Sequence, residues 1–317
     1  MSPFHGIHTI DTGFHRPQFD AAYLVVENGR GAFIDSGTSH SVPALLAAVA
    51  DAGLNPADID WLILTHVHLD HAGGAGALLQ HLPNARVVLH RRGAPHMIDP
   101  AKLIAGATAV YGEEEVTRSY GRIVPIPAER VDIADEEDHV VDLAGRALLC
   151  LDTPGHAAHH ISIWDEKSRT VFSGDTFGIS YRELDSENGL FIFPTTTPVQ
   201  FDPPTLKDSI RCLIALQPDG ICLTHYGRIG DVERHATTLI EQIDAMVERA
   251  LACADAPDRH AALVAALDDL YIPRAVAHSG QSSEQVRELL HMDIELNAQG
   301  LGVWLDRQQR RAARPSS

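Results

Sequence analysis

Short apolar runs separated by turn residues open the chain. Residues 4 to 11 and Ala21-Ala22-Tyr23-Leu24-Val25-Val26 read as β-strands, and Asn28-Gly29-Arg30-Gly31 supplies a hairpin turn into Ala32-Phe33-Ile34. Ser41 caps a helix predicted from Val42 to Ala52, with Pro43 in its first turn, and Asn55-Pro56 breaks the chain before the strand Trp61 to Leu64. A helix from about Gly74 to His81 and a strand from Arg86 to His90 follow, and strand-helix-strand order predicts an α/β layer architecture. Residues 100 to 111 read as helical, and Glu113-Glu114-Glu115 as a solvated face. From 122 to 173 the pattern turns to β, with Ile123-Val124, Val140-Val141, Arg146 to Leu151, Ile161 to Trp164 and Thr170 to Phe172 separated by turns. The connection from Thr176 to Pro204 is long, rich in Thr, Pro and aromatic residues, and without a predicted element.

Beyond residue 230 the apolar period becomes helical. Leu239, Ile240, Ile243, Met246, Val247, Ala250 and Leu251 recur every 3 to 4 residues, and further helices are predicted at 258 to 270, 283 to 290 and 291 to 307, punctuated by Pro257 and Pro273. The tail from Arg307 to Ser317 reads as a frayed end. These patterns divide the chain into a domain at 1–232 and a helical C-terminal region at 233–317.

Among 317 residues 44% are apolar, enough to fill a sizeable core. Lys and Arg number 25 against 43 Asp and Glu, a net charge of −18, and such a surface repels phosphate backbones, so no nucleic-acid partner is expected. Cys150, Cys212, Cys222 and Cys253 form no Cys-x-x-Cys pair and read as buried small hydrophobes. The first residues lack a basic stretch followed by an apolar one, and no apolar run approaches membrane-spanning length. The expectation is a cytoplasmic protein without a membrane partner.

The chemistry gathers after the strand Trp61 to Leu64, in Thr65-His66-Val67-His68-Leu69-Asp70-His71-Ala72-Gly73-Gly74. Three imidazoles and a carboxylate within six positions offer the nitrogen and oxygen donors that zinc, iron and manganese accept. A His-x-His pair at a strand end can turn two rings toward one ion, and Asp70-His71 can then face a second. The two glycines suit a tight turn into the next helix. Thr-His-x-His-x-Asp-His-x-Gly-Gly resembles the signature of the metallo-β-lactamase-fold superfamily, and within it the glyoxalase II and lactonase branch. The resemblance implies a four-layer αββα sandwich, with the C-terminal helices as an appendage.

Two adjacent metal sites need more donors than this stretch holds. Thr153-Pro154-Gly155-His156, Gly174-Asp175-Thr176 and Thr224-His225-Tyr226-Gly227 each place a donor where a predicted strand runs into a loop. They match the Gly-His, Gly-Asp-Thr and later His of that branch, spaced 85, 19 and 50 residues apart from His71 onward. The resemblance implies that His66, His68 and His156 hold one metal, that Asp70, His71 and His225 hold the other, and that Asp175 bridges them. Asp35, in Asp35-Ser36-Gly37, resembles an outer-shell hydrogen-bonding group. His159 and His160 lie close by but exceed the ligand count. Zinc is the first choice of metal, with iron or manganese as alternatives.

Two divalent ions about 3.5 Å apart can share a water and make it a nucleophile near neutral pH. The reading is therefore a hydrolase of an activated acyl bond in a small molecule, a thioester, lactone or ester, with Asp70 both a ligand and the acceptor of the nucleophile's proton. Tyr181 and Tyr226 are candidate donors to a substrate oxygen. Arg274 and Arg287 are available in the C-terminal helices, which otherwise read as a packing cap or a homodimer surface. Three rival readings are a single-iron oxygenase of the persulfide dioxygenase type, a diiron electron-transfer partner and a non-catalytic binding protein. The second metal's ligand set argues against the first, His68 where such relatives place Glu against the second, and retention of all seven donors against the third.

Overall fold

The computed structural model describes residues 4–134, 139–196 and 200–312, and the chain forms two units. One comprises Met1–Thr153, His159–Gly174 and Leu216–Val232; the other comprises Pro154–Ala158, Asp175–Ala215 and Glu233–Ser317.

The first unit is built on two sheets. Strands β1 (Ile7–Asp11), β2 (Ala21–Glu27), β3 (Arg30–Ile34), β4 (Ile59–Ile63), β5 (Arg86–His90) and β6 (Val131–Ala134) pair in that order. The β2–β3 hairpin turns at Asn28 and Gly29, both with positive φ, as a type I′ turn demands. From β3 to β6 the pairing is parallel, because helix α1 (Val42–Asp51) and the helices that follow β4 carry the chain back between strands. Those helices are α2 (Leu69–Ala72) and α3 (Ala75–Leu79), with α4 (Ala94–Ile98), α5 (Ala101–Tyr111) and α6 (Glu113–Tyr120) between β5 and β6.

The second sheet orders β12 (Gly227–Ile229), β11 (Gly220–Leu223), β10 (Thr170–Gly174), β9 (Ile161–Asp165), β8 (Arg146–Asp152) and β7 (His139–Leu143). Alternation along each strand gives the first sheet two buried faces. Leu24, Phe33, Leu62 and Val87 pack against Leu45 and Val49 of α1 and Leu78 of α3. Tyr23, Val25, Ile34 and Ile63 meet Leu148, Ile163, Phe172 and Cys222 of the second sheet. This is the sandwich architecture expected from the sequence.

The second unit contains α7 (Pro203–Ala215), α8 (Val232–Ala252), α9 (Arg259–Ser279) and α10 (Ser283–Ala312). Four sequence expectations are corrected. Ile123-Val124 form no strand; the strand there is β6, and Ile126 is held instead by its amide donating to the Met97 carbonyl at 2.9 Å. Helix α9 runs through Pro273, and the stretches 283 to 290 and 291 to 307 are one helix. Residues 307 to 312 of the expected frayed tail belong to α10, and residues 313 to 317 lie outside the described residues. Cys150 and Cys222 are buried, and burial pushes both thiols up to about 12, whereas Cys212 is exposed.

Candidate metal centre

The donor-rich stretch leaves the carboxyl end of β4 as a short loop that carries His66 and His68 and turns into α2, which carries Asp70 and His71, where a parallel sheet presents backbone and side chains to a ligand. Asp35, one residue past β3, organises it. Its buried carboxylate accepts from the Thr65 amide at 2.8 Å and the Thr65 hydroxyl at 2.8 Å. It also accepts from the Thr224 hydroxyl at 3.3 Å and from His71 Nδ1 at 3.0 Å. The backbone follows the same route, since the Ser36 amide donates to the His71 carbonyl at 2.7 Å.

These bonds fix how the imidazoles face. With its Nδ1–H on Asp35, His71 turns Nε2 toward Asp70, whose Oδ2 lies 3.8 Å away. The Nδ1–H of His225 donates to the Phe19 carbonyl at 2.8 Å, and its Nε2 lies 3.5 Å from the same Asp70 oxygen. Thr65 spends its hydroxyl proton on Asp35, so at 3.2 Å it accepts from His66 Nδ1, and His66 Nε2 faces His68 Nδ1 at 2.7 Å. A carbonyl or carboxylate on one ring nitrogen sets the tautomer that leaves the other as a metal donor.

Asp20 stands in no motif that would single it out in the sequence. It is buried beside Thr12, whose hydroxyl donates to it at 2.7 Å, and burial pushes its carboxyl up to about 7 against the pull of His225 and His71. His160 is also buried, with its ring stacked on His66 at 4.9 Å and its Nδ1 3.1 Å from the Thr153 hydroxyl. His90 is buried with Nε2 3.5 Å from Asp152. His159 is buried with its ring 5.8 Å from that of His68.

In the second unit, His156 Nε2 and Asp175 Oδ2 are 3.3 Å apart, and His156 Nδ1 donates to the Thr195 carbonyl at 3.3 Å. Gly155 sets the preceding turn at φ 125°, and a Cβ there would lie 2.3 Å from the Leu206 amide, so only glycine fits. Tyr181 is buried and its hydroxyl donates to Asp293 at 2.9 Å; Tyr226 is half-buried beside the inter-sheet core. Ligand-capable atoms of Asp70, His71 and His225 lie within 4.8 Å of one another. The rings of His66 and His71 are 4.0 Å apart, so the His66 and His68 pair adjoins that group. Nitrogen and carboxylate donors in these numbers fit divalent ions of borderline hardness.

A family description, "Metallo-beta-lactamase superfamily", matches residues 16–226. The chain belongs to the metallo-beta-lactamase superfamily. Most of that superfamily are metal-dependent hydrolases, in keeping with the His and Asp cluster. It is similar to ST1585 of Sulfurisphaera tokodaii, a metallo-beta-lactamase fold-containing protein, with 28% identity over 76% of this chain and 86% of that one. The solved structure of ST1585 superposes with a TM-score of 0.60 over 74% of this chain and 86% of that one. It is 31% identical to the acyl-coenzyme A thioesterase MBLAC2 of Gallus gallus, over 48% of this chain and 56% of that protein. It is 29% identical to a hydroxyacylglutathione hydrolase of Rhodopseudomonas palustris, over 49% of this chain and 46% of that protein. The chain thus spans about half the length of these two hydrolases. No helix among the described residues is long and apolar enough to cross a membrane.

Proposed function

We propose that the protein is a binuclear metal-dependent hydrolase of an activated acyl bond, with thioesters the first substrate class and lactones and esters the next. The observation that carries this reading is the group formed by Asp70, His71 and His225 beside His66 and His68 in the first unit, with His156 facing Asp175 in the second, their imidazoles oriented in advance by Asp35, Phe19, Thr65 and Thr195. Two relatives whose names specify thioester hydrolysis support the substrate class. In this reading His66, His68 and His156 hold one ion, Asp70, His71 and His225 the other, and Asp175 bridges.

Bound there, two divalent ions, zinc by preference and iron or manganese otherwise, would lower the pKa of water and polarise a carbonyl. The chain's own residues do the rest. Asp70, within 4 Å of two imidazoles and partly open to solvent, accepts the proton of the attacking water and passes it to the leaving group. Tyr226, next in the chain to His225, is proposed to donate to a substrate oxygen, since the Tyr181 hydroxyl is engaged by Asp293. The group formed by Asp70, His71 and His225 would be redundant in a single-iron oxygenase, and this favours the hydrolase.

The test is elemental analysis of protein purified without added metal, beside Asp175→Ala, followed by a thioester and lactone panel. About two ions per chain, fewer in the variant, together with thioester turnover, are expected. A single iron with oxygen uptake, or a variant that keeps both ions and full turnover, would overturn the reading.

A further inference from the structure

We propose that Asn297, deep in the C-terminal helix α10, is a positioning residue for the metal ligand His156. The proposal rests on the reading of His156 as a ligand, and it extends that reading to a helix that supplies none of the seven proposed donors.

The connection is a chain of hydrogen bonds within one unit. His156 presents Nε2 toward Asp175 because its Nδ1–H is held by the Thr195 carbonyl at 3.3 Å. Thr195 has no regular secondary structure to hold it. The peptide groups on either side are clamped instead by one side chain. The Thr196 amide donates to Asn297 Oδ1 at 2.7 Å, and Asn297 Nδ2 donates to the Pro194 carbonyl at 3.3 Å. The Thr196 hydroxyl adds a bond to the Asn297 carbonyl at 3.4 Å. A side-chain amide has one acceptor and two donors, and here it bridges an N–H and a C=O as a neighbouring strand would.

Burial makes the clamp stiff. Asn297 is 1% exposed, so opening these bonds would leave polar groups in an apolar surround. One turn earlier on the same face, Asp293 accepts the Tyr181 hydroxyl at 2.9 Å. Tyr181 lies six residues beyond Asp175, and the neighbouring residues Ile179 and Phe193 exchange backbone bonds at 2.9 and 3.1 Å. The loop carrying His156 is tied to Gln200, near the end of the connection from Thr176 to Pro204, through the Ala158 amide at 2.6 Å, and to α7 through the Ser209 hydroxyl, which donates to the Pro154 carbonyl at 2.6 Å. Helix α10 thus gives the ligand His156 a rigid support that the loop by itself lacks.

The experiment is a zinc titration of the metal-free protein in competition with a chromogenic chelator, with melting temperature as the companion readout. Asn297→Ala is expected to weaken one of the two zinc affinities about 10- to 100-fold and to spare the other. Asn297→Asp keeps the acceptor for the Thr196 amide but sets an oxygen against the Pro194 carbonyl, and is expected to weaken the same affinity and spare the other. Leu290→Ala opens a cavity on the buried face of the same helix without touching residues 194–196, and should lower the melting temperature while leaving both affinities alone. If Asn297→Ala fails to fold, Asn297→Leu fills the volume without the bonds and is expected to show the same selective loss. Wild-type affinities in the Ala or Leu variant, or an equal loss in Leu290→Ala, would overturn the proposal. A wild-type protein that takes up no zinc would instead overturn the metal reading beneath it.

Discussion

Two aspartates beside the centre carry opposite burdens. Asp35 sits among four donors, and its own φ of 59° is a conformation that few non-glycine residues adopt, held here because its amide donates to the Ile63 carbonyl at 2.9 Å and its carboxylate accepts from all four. Asp35→Ala therefore frees His71 to rotate, and should cost about 10- to 100-fold in metal affinity at the site holding His71, read by the same zinc competition. Asp20 is different, since burial has lifted its carboxyl from 3.8 to about 7. Between those values the folded metal-free protein holds a proton that the unfolded chain has lost, so stability falls as pH rises and the loss is complete above pH 7. Asp20→Asn keeps an acceptor for Thr12 and removes that loss. The metal-free variant should be more stable than wild type at pH 8, by up to about 4 kcal/mol, and no different below pH 4, as urea unfolding at both values would show.

Elements were legible where one period and one turn signal agreed. The Asn28-Gly29 hairpin, α1 after Ser41 and β5 from Arg86 to His90 lie where the sequence put them, because in each an apolar pattern of strand or helix length is bounded by a turn residue or proline. The seven candidate donors stand out in the sequence because His and Asp gather there where predicted strands run into loops. What hid the rest was polar chemistry in buried places. Helix α10 buries Val286, Leu290, Ala298 and Leu301, but Asp293 and Asn297 lie on the same face and interrupt the apolar period, so one helix reads as two. Helix α7 begins with Pro203-Pro204, which reads as a break although proline suits a helix's first turn. The Gly73-Gly74 pair reads as a tight turn, yet both residues have helical φ values. Gly74 is needed for closeness, since a Cβ there would lie 2.4 Å from the Thr38 carbonyl oxygen. Gly74→Ala should destabilise the protein by about 1 to 3 kcal/mol through displacement of α3, a shift measurable in the urea midpoint.

For the whole molecule, the proposed donors run from residue 66 to residue 225, on loops whose positions depend on strands far apart in the chain. An unfolded chain gathers no such set, so ions bound there stabilise the folded state alone. At a free concentration one hundred times the dissociation constant, each ion adds about 2.7 kcal/mol. The chain also carries a net charge of −18, and two divalent cations relieve part of the self-repulsion that this imposes on the compact state. Both effects have the same sign. Stripping the metal with a chelator should lower the melting temperature by roughly 5 °C or more per ion, with a smaller drop in Asp175→Ala, where fewer ions remain to be removed. Raising the salt concentration in the chelated protein should recover the electrostatic part of the loss and none of the coordination part, because salt screens charge without supplying a ligand. Equal melting temperatures with metal and with chelator would mean that the donors bind no ion in the folded state, and that the bonds from Asp35, Phe19 and Thr195 hold a centre that the fold does not use.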